Sequence, residues 1–125
     1  MARQEDGRAA VLRQIHSLFQ VGAFGDLTDG QLLERFRAGD KESAEPAFTA
    51  LVERHGPMVW RVCHRVLTDS HQAQDAFQAT FLVLVRQAGS VRHKDSVASW
   101  LHGVAYRVAS CARSAESRRR KHEER

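Results

Sequence analysis

The chain is short of the residues that punctuate or staple other folds. Of its 125 residues two are proline, two are cysteine and one is tyrosine. Two prolines and eight glycines, with few alternating apolar runs, argue against a sheet and for an all-α domain. Cys63 and Cys111 both fall on apolar faces at helical spacing, which predicts two small core residues rather than a disulfide. No apolar run approaches the ~20 residues that a membrane span needs. No charged-then-apolar signal segment opens the chain, so no membrane partner and a cytoplasmic protein are expected. The seven histidines are scattered without an HExxH or CxxC signature, and there is no glycine-rich phosphate loop. Cys63 and His64 are adjacent, so on a helix they point to different sides and form no dyad. The expectation is no enzyme, no metal and no cofactor.

What is present is an ordinary globular composition, 42% hydrophobic and 27% charged, with no internal repeat. A chain of this length makes one domain that buries roughly two thirds of its unfolded surface. Its charge is unevenly placed. Residues 1–104 hold 12 basic and 12 acidic side chains, whereas residues 105–125 hold 7 basic against 3 acidic. The whole net charge of +4 therefore sits at the C-terminal end, an asymmetry that suits a polyanion. Cations at a helix C-terminus are also favoured by the macrodipole, so charge alone does not decide for nucleic acid.

Taken in order, residues 1–26 read as an extension: a short helix over 9–20, then a linker with Gly22 and Gly25. The domain itself is expected over 27–125. Thr28-Asp29-Gly30-Gln31 is a capping box, with Leu27 and Leu32 placed for a hydrophobic staple. The helix it starts stops near Gly39. A second helix is expected over 44–55, with Pro46 in its first turn, and Gly56-Pro57 is expected to break it from a third over 58–67. Asp69 and Gln72 approximate another capping box for a helix over 70–88 that ends on Gly89 as the C′ residue. That helix has a core stripe of Ala73, Ala76, Phe77, Thr80, Phe81, Leu84 and Ala88. Its outer stripe is His71, Asp75, Gln78, Ala79, Leu82 and Arg86, with Val85 at the margin. A leucine beside a carboxylate and an amide suggests a docking surface.

The segment over 96–121 organises the rest. Its apolar face carries Val97, Trp100, Leu101, Val104, Val108, Cys111, Ala112 and Ala115. The opposite face carries Ser99, His102, Tyr106, Ser110, Arg113, Ser117 and Arg120, which suits a sugar-phosphate chain with stacking bases better than a partner helix. The loop before it holds Arg92, His93 and Lys94, and Asp95 or Ser96 is the expected cap.

The order of motifs over 28–121 resembles region 2 of bacterial sigma factors, most of all the extracytoplasmic-function (ECF) group. The residues that carry the resemblance are Ala73-Gln74-Asp75-Ala76-Phe77-Gln78-Ala79-Thr80-Phe81-Leu82, then Trp100-Leu101 with Val104-Ala105, then the arginine run. It implies a compact multi-helix bundle with a long C-terminal helix. It also implies a transcription initiation factor that docks on the β′ clamp helices of core RNA polymerase and binds and melts the promoter minus-ten element. Carried over, Asp75, Gln78, Leu82 and Arg86 become the polymerase-binding residues. Arg92, His93, Lys94, Trp100, Tyr106, Arg107 and Arg113, with Arg118, Arg119, Arg120 and Lys121, fall near the non-template single strand. Trp100 also lies at the edge of the core stripe, and both readings stand. An anti-sigma factor is a further partner that the resemblance allows.

Gln74 stands where the family has Glu, and the Asn and Asp common near Arg107 and Cys111 are missing. ECF factors continue into a helix-turn-helix domain that reads the minus-thirty-five element. The sequence to Arg125 does not include one, so the expectation is a region 2 piece or a sigma-like protein without that domain. The alternative function is a small helical adaptor whose basic end binds an acidic protein or nucleic acid non-specifically. Such an adaptor has no use for the Asp75, Gln78 and Leu82 stripe.

Overall fold

The computed structural model describes residues 24–39, 41–91 and 96–123. These residues form four α-helices and one short 3-10 turn, with no strand among them. The chain divides into two compact units, Met1–Leu51 and Val52–Arg125. The helix expected over residues 9–20 lies outside the described residues, as do Arg92, His93, Lys94 and Asp95.

In the first unit, the turn after Phe24 delivers Thr28 to the start of α1 (Asp29–Ala38). The expected capping box forms: Thr28 Oγ1 accepts the Gln31 N–H at 3.1 Å, and Gln31 Oε1 accepts the Thr28 N–H at 2.9 Å. Two of the orphan N–H groups at a helix start are thereby satisfied. The helix buries Leu32 and Leu33, and Phe36 meets Phe48 with ring centroids 5.4 Å apart. Gly39 ends it in an extended conformation, its N–H donating to the Arg35 carbonyl at 2.8 Å. A Cβ at Gly39 would collide with that carbonyl oxygen and stand 2.9 Å from the Ser43 Cβ. Close backbone approach, rather than a left-handed φ, demands glycine here.

The next helix corrects the sequence expectation. It is one continuous element, α2 (Lys41–Val66), running through Gly56-Pro57 and starting early enough to put Pro46 in its second turn. The reason lies in the register of its inward stripe. Ala47, Leu51, His55, Val59 and Cys63 are all buried and follow one another at four-residue steps across the Gly-Pro pair. A break would throw one half of that stripe out of phase. Pro57 is itself exposed, where solvent can reach the backbone and the missing N–H costs least.

In the second unit the C-terminal part of α2 lies with α3 (Ser70–Gln87) and α4 (Val97–Glu123). Trp60 of α2 packs edge-on to Phe77 of α3 at 5.8 Å, and Phe77 meets Phe81 at 5.2 Å. Asp69 caps α3 by accepting from the His71 and Gln72 N–H groups. The reciprocal half of the expected second box is not what Gln72 does: its amide reaches to Glu116 of α4 instead. Gly89 also departs from expectation. No described glycine has a positive φ, and the helix tightens into a 3-10 turn over Ala88–Ser90 rather than reversing on a left-handed C′ residue.

The predicted core stripe of α3 is buried, apart from Phe77 at its edge. That of α4 is rotated. Val97, Leu101 and Val104 are buried as expected, but so are Ala105 and Ala109, whereas Val108, Ala112 and Ala115 are half-buried and Cys111 is exposed. Alanines on the inner faces of both helices permit close approach, and this sets the rotation.

The two thiols consequently live in different settings. Cys63 is fully buried, and burial raises its pKa above the ordinary 9.0, with the Thr80 hydroxyl bonded to it pulling weakly the other way. A native chain treated with a thiol reagent near pH 8 should therefore react at Cys111 and be spared at Cys63, and in denaturant both should react. Equal native rates would contradict the placement. A raised folded pKa means the stabilising contribution is full below pH 9.0 and is lost as pH rises above it.

Candidate docking and nucleic-acid surfaces

The outward face of α3 follows from its period. With Ala73, Ala76, Thr80, Phe81 and Leu84 turned inward, 3.6 residues per turn leave Asp75, Gln78, Leu82 and Arg86 outside, and all four are exposed. Leu82 is 59% exposed and Val85 43%, and both count among the large apolar side chains left in solvent. A carboxylate stands one turn above the amide and a guanidinium one turn below the leucine, so the face offers an apolar centre between opposite charges. Ala79, also on the expected outer stripe, is half-buried.

The outward face of α4 is chemically different. Tyr106 is 55% exposed, and Arg107, Arg113, Arg118 and Lys121 are exposed along the same helix. Among the described residues these four cations make no ion pair. They span about 21 Å at 1.5 Å per residue. Trp100 is half-buried at the margin, consistent with either of its two readings.

Arg119 and Arg120 differ from their neighbours. Arg119 Nη2 donates to Glu116 Oε2 at 2.7 Å, and Arg120 Nε stands 3.6 Å from Oε1 of the same carboxylate. Gln72 Nε2 donates to Glu116 Oε2 at 3.1 Å. Glu116 was not singled out from the sequence, and Gln72 only as a capping partner of Asp69. The i,i+3 and i,i+4 spacing of Glu116 to Arg119 and Arg120 is a legible signal for the ion pairs, but nothing local announces Gln72, 44 residues away.

Among the described residues no three His, Cys, Asp or Glu side chains gather as a metal site. No helix among them is long and apolar enough to cross a membrane.

Comparison with known proteins agrees with this layout. Residues 51–119 match the Sigma-70 region 2 family, a span that takes in most of α2 and all of α3. The chain is 35% identical over 83 residues to the ECF RNA polymerase sigma factor SigM of Mycobacterium tuberculosis, covering 66% of this chain and 40% of that protein. It is 32% identical over 91 residues to the RNA polymerase sigma-H factor of Pseudomonas aeruginosa, covering 73% and 45%. It is 36% identical over 83 residues to the RNA polymerase sigma factor CarQ of Myxococcus xanthus, covering 66% and 44%. The chain thus spans less than half the length of these curated relatives. No solved structure gives a significant match. The family match over more than half the chain, on an all-helical fold, leads to one conclusion: this chain belongs to the Sigma-70 region 2 family, in its ECF sigma-factor group.

Proposed function

We propose that this chain is the part of a transcription initiation factor, residues 27–125 forming its region 2 domain, that grips RNA polymerase with α3 and holds melted promoter DNA with α4. Asp75, Gln78, Leu82 and Arg86 meet the β′ clamp helices. Tyr106 stacks on an unpaired base of the non-template strand in the minus-ten element, while Arg107, Arg113, Arg118 and Lys121 neutralise its phosphates, with the loop residues Arg92, His93 and Lys94 alongside. The observation that carries the reading is the pairing, within one compact unit, of an exposed apolar-centred face on α3 with an exposed aromatic and cationic face on α4.

The energetics suit strand capture. Taking a base out of the stack costs a few kcal/mol. Stacking on an aromatic ring returns ~1–3 kcal/mol per base, and phosphate contacts add the rest. The work is binding and not covalent chemistry, so no cofactor is called for. Such a factor acts where polymerase and chromosome are, in the cytoplasm, and an anti-sigma factor that covers either face is the matching form of control.

Two measurements test the proposal. Run-off transcription with core polymerase should depend on adding this chain, alone or joined to any natural downstream sequence. Affinity for a single-stranded oligonucleotide should be weak and should fall with salt on a log–log slope of about 2 to 3, about 0.7 for each of three or four phosphates. Binding that ignores salt, or transcription that ignores the chain, would remove the reading.

A further inference from the structure

The basic run at the end of α4 is not one uniform patch. On a helical wheel, Arg118 follows Arg107 and Cys111 on the outward side, while Glu116 and Arg119 turn toward the side where α3 begins. Glu116 is less exposed than the two arginines it meets, with 30% of its side chain accessible against 67% for Arg119 and 75% for Arg120. Its carboxylate accepts from Gln72 of α3 and Arg119 of α4 at once, with Arg120 close by. An acidic residue placed ahead of its arginines at i,i+3 and i,i+4 is the favoured orientation for such pairs. An anchored carboxylate of this kind competes with phosphate for the same guanidinium groups.

We infer that Glu116 is a positioning residue with two effects: through Gln72 it fixes the last turns of α4 against the start of α3, and it withholds Arg119, and in part Arg120, from the nucleic acid. The inference rests on the nucleic-acid reading above and divides its residues. Arg107, Arg113, Arg118 and Lys121 serve the strand. Arg119 serves the latch. Because α3 is also the docking helix, the same contact ties the two working helices together at one end.

The test uses the full chain and a fluorescent single-stranded DNA oligonucleotide of mixed sequence. Arg113→Ala and Arg118→Ala should each flatten the salt slope by about 0.7, the value of one phosphate contact on a single strand, whereas Arg119→Ala should leave it unchanged. Glu116→Gln should tighten low-salt binding and steepen the slope by about 0.7, as a released guanidinium finds phosphate. Glu123→Gln removes the same charge two turns further on, where the described residues show no ion pair, and should change the slope less. Equal effects of the two Gln variants, or an Arg119→Ala slope as flat as that of Arg113→Ala, would overturn the inference while leaving the nucleic-acid reading intact. If Arg113→Ala and Arg118→Ala also change nothing, the nucleic-acid reading is what fails. Amide exchange over residues 117–123 then decides the latch without DNA: Glu116→Gln and Gln72→Ala should each accelerate it several-fold, and unchanged exchange in both refutes it.

Discussion

Leu82→Glu should abolish capture of this chain by core RNA polymerase while leaving its helical circular dichroism unchanged. Leu82 is 59% exposed in the free chain, so a carboxylate there meets water and should cost the fold no more than about 0.5 kcal/mol. The same carboxylate in a docked complex is stripped of that water at the apolar centre of the face. Burying an unpaired charge is far more costly than burying a neutral polar group, and central anchors at protein interfaces typically lose 2 kcal/mol or more on truncation alone. A loss of about 4 kcal/mol weakens binding close to a thousandfold. Asp75→Ala, on the same face one turn above Gln78, should also lose binding but by less, because a rim charge carries less of the energy. A pull-down or calorimetric titration in which both variants bind like the parent would end the docking assignment.

The largest effect on stability should come from Leu101→Ala. Leu101 is fully buried at the centre of the inward face of α4, between Val97 and Ala105 at four-residue steps. Removing a buried leucine side chain costs about 2–5 kcal/mol, the range reflecting how far the site can collapse. Total stability of a domain this size is only about 5–15 kcal/mol, so a third or more of it could go with one residue. Urea unfolding followed by circular dichroism should show a clear drop in midpoint with little change in slope. Leu82→Ala is the control, with a midpoint within error of the parent. A Leu101→Ala midpoint equally close to the parent would mean that α4 does not present this face to the core.

How much of this was readable beforehand depended on the range of the interaction. The capping box at Thr28 and Gln31 involves four consecutive residues, and it formed as spelled. The two faces of α3 follow from one period on one helix, and the exposed Leu82 stood out because it broke the polar pattern. Gly56-Pro57 misled because local breaking tendency was weighed without the stripe from Ala47 to Cys63, whose phase holds the helix through the pair. Cys111 misled because alanine carries a weak hydrophobic signal, so the rotation that buries Ala105 and Ala109 was hidden behind larger neighbours. The Gln72–Glu116 hydrogen bond joins residues far apart in the chain, and no local pattern encodes it.

The placing of the two tryptophans gives the molecule a built-in optical readout. Trp60 is half-buried and packs edge-on against the rings of His64 and Phe77, whereas Trp100 sits half-buried on α4. Their emissions therefore sample separate neighbourhoods, one a ring cluster of α2 and α3 and the other the margin of the apolar face of α4. With Trp60 replaced by phenylalanine, the remaining indole is a single fluorophore, and if α4 holds a strand as proposed its emission should change as an oligonucleotide arrives, without any attached dye.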